Sequence, residues 1–362
     1  MIFLKNIADQ LKRHLFSTRD SLVAIAINGE AIRVVELSKK GNQYTVEKLL
    51  NYRVRGAVAE EAGSSGMDEK SRVLKKVVDE LGLMGREVCS SVSTALVMSK
   101  VIVLPSSLTS VEIEHEVMLE LDQFVPYPLE DISFDYEVQQ DSGIDPEQIE
   151  VLLVASRREN VEDQFAVLST AGLKPVVLDV DVYAMERAFT LLVHQFPEGV
   201  LEKPVAVFDF YESSVVQYVM YGGRTIYTRE QALGGQQSQI QKESHSFYGA
   251  ETVSLEKESL SNTLPVEDPV VIINNAMVVQ QVLRGLQFYE SANINDAIGY
   301  IVLAGDIDVD NGIDEAIRQQ VGLAVLIANP FQEMVFSEQL EMMDKSPSLF
   351  MVASGLALRG VS

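Results

Sequence analysis

The sequence predicts an α/β protein made of two copies of one folding unit, with a small α+β subdomain inserted into the first copy. Three observations carry this prediction: a three-stranded meander in each half of the chain, helical segments after each meander, and a proline-punctuated stretch in the first half with its own strand pattern. The length of 362 residues is sufficient for two hydrophobic cores.

The first meander occupies residues 22–54. Leu22–Ile27 is apolar, Asn28-Gly29 follows, and Ala31–Leu37 leads through a Lys-Lys-Gly-Asn turn into Tyr44–Val54. Asn-Gly between two apolar strands is a strong signal for a two-residue hairpin. The pattern predicts three antiparallel strands in sequential order.

The second meander repeats this layout. Pro204–Phe210 and Val215–Tyr221 are separated by a short polar turn, and Gly222-Gly223-Arg224 leads into Thr225–Ala232. Apolar residues at three- and four-residue spacing predict the supporting helices, which are Ser71–Leu83, Asn160–Ala171, Tyr183–Val193 and Asn274–Ser291. A strand at Tyr300–Ala304 and a helix from Gly312 to Gly322 follow.

The inserted subdomain is predicted over residues 87–163. Glu87–Val103 is expected to form strands, Ser110–Gln123 a helix, and Ser133–Gln139 and Gln148–Ser156 two further strands. Pro105, Pro126 and Pro128 lie at or beyond the ends of these segments, where proline is tolerated.

Charge and composition exclude several classes of function. The formal net charge of −24 argues against a nucleic-acid partner and against adsorption to an anionic membrane leaflet. The only cysteine, Cys89, excludes an internal disulfide, and the four histidines lie far apart in the sequence, so we expect no metal site.

No stretch of the sequence approaches the roughly 20 apolar residues needed to cross a bilayer, and no signal peptide is recognisable, so we expect a reduced, cytoplasmic location. As a helix, Met1–Phe16 aligns Phe3, Ile7 and Leu11 on one face. This segment is interpreted either as an amphipathic helix for a membrane surface or partner, or as a tail or helix docked on its own domain, which we favour.

Several strings of the sequence resemble one protein family in order along the chain. They are QFVPYPLEDISFDYEVQ (residues 123–139), VLLVASRRENVEDQ (151–164), AGLKPVVLDVDVYAMERA (171–188), GRTIYTREQALGG (223–235), YIVLAG (300–305), ANPF (328–331) and SGLALRG (354–360). On these strings the chain resembles the PilM family of type IV pilus assembly proteins, within the actin-like ATPase superfamily.

The resemblance implies a duplicated ribonuclease-H/actin-like fold with an FtsA-like subdomain arrangement. Its subdomains would be 1A (residues 17–86 and 164–200), the inserted 1C (87–163) and 2A/2B (201–362). It also implies a scaffold at the inner face of the bacterial inner membrane that binds the cytoplasmic N-terminal segment of PilN. Contacts with assembly motor ATPases and the platform protein are implied as well, and self-association stays open.

The resemblance places two phosphate-binding loops and an adenosine strand on residues that depart from the family pattern. The first loop has Ala26 at the carboxylate position, followed by Asn28, Gly29 and Glu30. The second loop keeps Asp209 but has Tyr211 where a glycine is expected, followed by Glu212 and Ser213. Further positions of this site are Gly234, Gly235, Lys257, Gly305 and Asp306.

These departures predict a nucleotide site that has lost its function. Glu30, Glu212 and Asp306 would each face a polyanion at a cost of roughly 3 kcal/mol per charge at ~5 Å. We therefore expect no cofactor, disfavour ATP and Mg²⁺, and interpret Asp209 as a residue that braces its turn. The alternative is an ATP-binding or ATP-gated switch of the same fold; a sugar-kinase-like enzyme has only the architecture in its favour.

Without nucleotide chemistry, the function is expected to lie in a binding surface. The implied PilN site lies between subdomains 1A and 1C, and the rigid aromatic-proline stretch in the insertion is our candidate for one wall. The candidate residues are Gln123, Phe124, Pro126, Tyr127, Pro128, Arg157 and Arg158. The alternative for each residue is plain packing of the insertion, with the two arginines paired to Asp135 or Glu159.

Overall fold

The computed structural model describes residues 22–28, 31–54, 66–139, 147–233, 275–292, 294, 296–307, 312–337, 340 and 346–361. The predicted amphipathic segment Met1–Phe16 lies outside the described residues, as do five positions of the predicted nucleotide site, namely Gly29, Glu30, Gly234, Gly235 and Lys257.

A six-stranded sheet, here the first sheet, has the strand order β14-β3-β2-β1-β4-β8. Its meander is β1 (Val23–Ile27), β2 (Ala31–Lys40) and β3 (Gln43–Arg53), which confirms the predicted antiparallel strands. Strands β4 (Glu87–Val92) and β8 (Lys174–Val180) continue the sheet in parallel beside β1. The short strand β14 (Val335–Phe336) closes the other edge.

The second sheet has five strands in the order β11-β10-β9-β12-β13. The second predicted meander is confirmed as β9 (Val205–Phe210), β10 (Ser214–Tyr221) and β11 (Arg224–Ala232). Strands β12 (Tyr300–Gly305) and β13 (Val325–Ile327) run parallel to β9. In both sheets a meander is followed by two parallel strands on the side of its first strand, so the predicted duplication is confirmed at the level of strand order.

Two helices form the layer between the sheets. They are α4 (Asp181–Thr190) and α7 (Met351–Leu358), and the core around them takes side chains from both sheets. Every residue of α7 is buried, which its uniformly apolar and small residues allow. A Cβ at Gly355 would lie 1.7 Å from the carbonyl oxygen of Ala184, so glycine lets the two helices approach closely.

The outer faces of the sheets carry the remaining helices. Helices α1 (Gly66–Glu80) and α3 (Arg158–Thr170) supply residues to the outer core of the first sheet. Helices α5 (Asn275–Ser291) and α6 (Ile313–Val321) do the same for the second sheet.

The insert sheet is a separate three-stranded sheet in the order β5-β7-β6. Its strands are β5 (Val97–Pro105), β6 (Ile132–Gln139) and β7 (Gln148–Arg157), all antiparallel. Helix α2 (Ser110–Phe124) covers one face with Ile113, Val117 and Leu121. Thr109 begins this helix with a reciprocal capping box to Glu112.

The structure distributes the range 87–163 between two sheets. Strand β4 pairs with β1 and β8 in the first sheet, and a short 3-10 turn at Thr94–Leu96 separates it from β5. Both faces of β4 are buried, so β4 shows no alternation of polar and apolar residues. The sequence pattern therefore does not show where the first sheet ends and the insert sheet begins. Helix α3 is continuous across residue 163 and packs on the first sheet, and α7 packs there as well although it comes from the second half of the chain.

Candidate functional site

A cavity of about 370 Å³ lies between the insert sheet and the first sheet. Strands β6 and β7 and Val97 of β5 form one wall, and β8 with the start of α4 forms the other. We call this cavity the partner groove. Strands β6 and β8 are the outermost strands of their sheets among the described residues, so two strand edges border the groove.

The alternation of β6 creates the groove wall. Ser133, Asp135, Glu137 and Gln139 line the cavity, whereas Phe134 and Val138 pack into the core beneath α2. Tyr136 packs against the same core and also borders the cavity. Successive side chains of a strand point to opposite faces, so this polar/apolar alternation gives the insert sheet one apolar face and one partly polar face. On β7 the same groove face carries apolar Leu152 and Val154.

The opposite wall contains a buried carboxylate held by two arginines. Asp179, 5% exposed, is paired with Arg187 and lies 2.6 Å from Nε of Arg359. Arg187 Nε also donates to the carbonyl of Gly355 at 3.0 Å, which ties the wall to α7. Burial lowers the pKa of Arg359, but the surrounding acidic groups, chiefly the carboxylate of Asp179, more than offset this effect, so the guanidinium stays charged.

A turn from the second half of the chain closes one end of the groove. Arg224, at the start of β11, forms an ion pair with Glu150 of β7 at 2.9 Å. The next backbone amide, that of Thr225, donates to Glu186 of α4 at 2.6 Å. Burial raises the pKa of Glu186, although this hydrogen bond favours its ionised form. The insert sheet, α4 and the second sheet therefore meet at this end of the groove.

A second candidate region, the central cleft, lies where β9 and β12 end opposite the first meander. Tyr211 donates from its hydroxyl to Asp209 at 2.6 Å, within the same turn, and Arg33 of β2 lies 5.5 Å from the Tyr211 ring centre. Burial raises the pKa of Asp209 to about 6, against the opposing effects of Arg33 and Tyr211.

An ion pair crosses the central cleft. Arg53, the last residue of β3, lies 2.6 Å from Asp306, which follows β12. The small cavity between these residues, Arg33 and Glu212 has a volume of about 10 Å³, enough for about one water molecule. Gly305 has φ +85°, and a Cβ there would lie 2.0 Å from the carbonyl oxygen of Phe210, so its backbone packs directly on the second predicted loop.

A family model described as type IV pilus assembly protein PilM matches residues 24–361. The chain belongs to the PilM family. It is similar to the solved structure "PilM-PilN type IV pilus biogenesis complex", with a TM-score of 0.66 and 20% identity over 95% of this chain and 99% of that chain. This likeness shows the actin-like fold.

A weaker likeness joins the PilM-family chain to the ethanolamine utilization protein EutJ of Carboxydothermus hydrogenoformans. The TM-score is 0.47 and the identity 11%, over 99% of this chain and 98% of that chain. MreB 5 of Spiroplasma citri, solved with AMPPNP, gives a TM-score of 0.42 and 11% identity over 94% and 96%.

The seven residues predicted for the groove lie at or just after the C-terminal ends of α2 and β7 in this PilM-family structure, and none lines the cavity. Phe124, the last residue of α2, is buried in the core of the insert, and Arg157 lies 5.3 Å from the ring centre of Tyr127 and 2.9 Å from Glu159. Arg158 donates to the carbonyl of Glu130. Gln123, Pro126 and Pro128 are exposed.

The predicted nucleotide positions come together only in part. Asp209, Tyr211, Glu212, Gly305 and Asp306 gather at the central cleft. Ala26 and Asn28 lie at the end of β1, and Ser213 accepts from the amide of Leu233 at 2.7 Å. The backbone amide of Asn28 donates to the carbonyl of Ala31 at 3.1 Å, and this hydrogen bond joins the end of β1 to the start of β2.

The part of the PilM-family chain that the structure describes contains neither a membrane-spanning helix nor a metal-binding cluster. No helix there is both long and apolar enough to cross a membrane. The same residues contain no group of three or more histidines, cysteines or carboxylates placed to hold a metal ion.

Proposed function

We propose that this protein is a scaffold of the type IV pilus machine and binds the cytoplasmic N-terminal segment of PilN in the partner groove. The observation that carries the proposal is the position of the groove, between the insert sheet and the first sheet, with two strand edges on its border. An extended segment entering such a space finds backbone partners along strand edges and pockets for alternate side chains.

Two comparisons support this choice of partner. The chain belongs to the PilM family over nearly its whole length. The fold that it matches at a TM-score of 0.66 was solved in a PilM–PilN complex. In this role the protein lies at the cytoplasmic face of the inner membrane, held there by PilN, and relays contacts to the assembly motor and platform.

We further propose that the protein works without ATP hydrolysis. A nucleotide phosphate requires close approach to backbone amides and a carboxylate that organises Mg²⁺. Tyr211 donates a hydrogen bond to the carboxylate of Asp209, and Asp306 is paired with Arg53. Among the described residues, the cavity between Arg33, Arg53, Glu212 and Asp306 measures about 10 Å³, which is too small for a phosphate group. These residues do not fit a nucleotide, and the function proposed for the protein does not need one.

A titration with a synthetic peptide of the PilN N-terminal segment tests the partner site. The variant Val154→Trp fills the groove from β7, and Val103→Trp introduces the same ring on β5 at a position that is 56% exposed and outside the groove. We expect Val154→Trp to weaken peptide binding at least tenfold while Val103→Trp leaves it unchanged. Equal affinity of both folded variants would place the peptide elsewhere.

Restoring the family residues tests the nucleotide proposal. The combined variant Ala26→Asp, Tyr211→Gly and Asp306→Gly supplies a carboxylate and removes the ring and one negative charge. MgATP affinity measured by calorimetry should improve by tenfold or more, because one removed charge alone corresponds to ~3 kcal/mol at close range. If the folded variant binds MgATP no better than the parent, the assignment of the loops is wrong.

A further inference from the structure

The two long walls of the partner groove differ in their charge balance. On the α4 side, Asp179 is paired with both Arg187 and Arg359, so its charge is fully compensated. On the β6 side, Asp135 and Glu137 line the groove from positions two residues apart. Arg359 acts on both carboxylates electrostatically, but among the described residues neither has a direct ion-pair partner, and Arg359 is already paired with Asp179. Residues 140–146, which follow β6, contain no lysine or arginine in the sequence.

Asp135 is held in place but keeps acceptor capacity. Its Oδ1 accepts from the backbone amide of Tyr136 at 2.9 Å, which orients the carboxylate, and Oδ2 has no donor in the described part of the chain. Burial raises the pKa of Asp135 to about 6, and Arg359 opposes this rise only in part. An ionised carboxylate in this position is poorly compensated, and a cation placed against it would form a charge-assisted hydrogen bond.

Apolar surface lies beside this acidic pair. Leu152 and Val154 of β7 face Leu178 and Val180 of β8 across the groove. The same space thus offers apolar side chains on both walls and two carboxylates along the β6 side. This combination fits an extended segment with an apolar side chain on one side of its backbone and a basic one on the other, since alternate side chains of a strand point in opposite directions.

We propose that Asp135 and Glu137 bind a lysine or arginine side chain of the segment that occupies the partner groove. This inference rests on the proposed function, which supplies the segment, and it adds the residue type that the segment must present. The net charge of −24 on the whole chain strengthens the selection, because it favours approach of a basic peptide and disfavours an acidic one.

The test compares two neutralised pairs in the full-length protein. Asp135→Asn with Glu137→Gln removes the proposed contact, and Asn at 135 can still accept from the amide of Tyr136. Glu162→Gln with Asp163→Asn on the exposed side of α3 makes the same change in net charge away from the groove. The probe is the synthetic PilN N-terminal peptide, alone and with every lysine and arginine replaced by glutamine; a PilN segment that contains neither residue would overturn the inference.

We expect the variant Asp135→Asn with Glu137→Gln to bind the parent peptide roughly tenfold more weakly than the wild-type protein does. The same variant should bind the glutamine peptide with wild-type affinity. The control pair should reproduce wild-type affinities for both peptides. A rescue gives an independent readout: Glu137→Lys, an exposed position, should prefer a peptide whose basic residue is replaced by glutamate.

Each outcome separates the two proposals. If the wild-type protein binds the peptide but the groove pair binds it equally well, or if the glutamine peptide loses nothing, the charge-reading inference is overturned and the proposed function stands. If the folded wild-type protein does not bind the peptide at all, the proposed function fails and this inference fails with it.

Discussion

At the scale of single residues, buried carboxylates dominate the region between the two sheets. Asp181 begins α4, and its pKa is raised to about 7 by burial and by repulsion from Asp209, Asp179 and Glu230, against a hydrogen bond from Ser91. Burial also raises the pKa of Asp209 to about 6. Both groups bind protons more tightly in the folded state than in the unfolded state, so they cost stability once they ionise.

The first prediction concerns Asp181→Asn. Below the unfolded pKa of 3.8 the carboxyl is neutral in both states, and its stability cost develops as the pH rises towards the folded value of about 7. The substitution should therefore raise the free energy of unfolding by up to about 4 kcal/mol at about pH 8 and change it little at about pH 4, because each pKa unit of the shift corresponds to about 1.4 kcal/mol. Denaturant unfolding at the two pH values measures this difference, and a gain of equal size at both would contradict it.

Gly305 illustrates a residue fixed by close packing as well as by backbone conformation. Gly305→Ala should destabilise the protein by several kcal/mol, because the added Cβ would lie 2.0 Å from the Phe210 carbonyl. The matched control is Gly322→Ala, with φ +75° and open space around the added atom, which should cost only about 1 kcal/mol. Thermal unfolding compares them, and similar losses would mean that backbone conformation alone accounts for Gly305.

At the scale of elements, the end of the partner groove depends on the turn between β10 and β11. Arg224 connects this turn to Glu150 on β7, and Thr225 connects it to Glu186 on α4. Three parts of the fold that are distant in sequence are thereby joined beside the partner groove. A partly exposed ion pair contributes little to global stability, so its effect should be on the groove itself.

Arg224→Ala is therefore expected to change the free energy of unfolding by less than ~1 kcal/mol but to accelerate peptide dissociation several-fold. The control is Arg318→Ala, which removes an exposed pair with Glu315 on α6, away from the groove. Surface-based kinetic measurements of the bound peptide would show this difference. An unchanged dissociation rate for Arg224→Ala would mean that the turn does not retain the segment.

The sequence predicted the strands with an alternating or turn-bounded pattern, since both meanders and the helix of the insertion were found within a few residues. It did not place β4, because a strand buried on both faces has no polar face that distinguishes its sheet from the next. The groove residues were missed for a related reason. The alternation Ser133, Asp135, Glu137, Gln139 was readable in β6, but the wall that it faces is formed by β8 and α4, which follow much later in the chain.

At the scale of the whole molecule, the two halves are joined across the central cleft by the protein's own side chains. Arg33 and Arg53 of the first meander lie against Tyr211 and Asp306 of the second half. In many two-domain proteins a ligand bound between the domains closes them around it. Here the residues of the cleft bridge the lobes themselves, and the open cavity is the partner groove.

The most direct test of this account is a calorimetric titration of the purified protein with MgATP and, separately, with the PilN N-terminal peptide. The account predicts saturable heat with the peptide, no heat with MgATP at millimolar concentration, and a peptide affinity that MgATP does not change. Micromolar binding of MgATP, or a peptide affinity that depends on it, would contradict the central claim and would make the protein a nucleotide-gated switch.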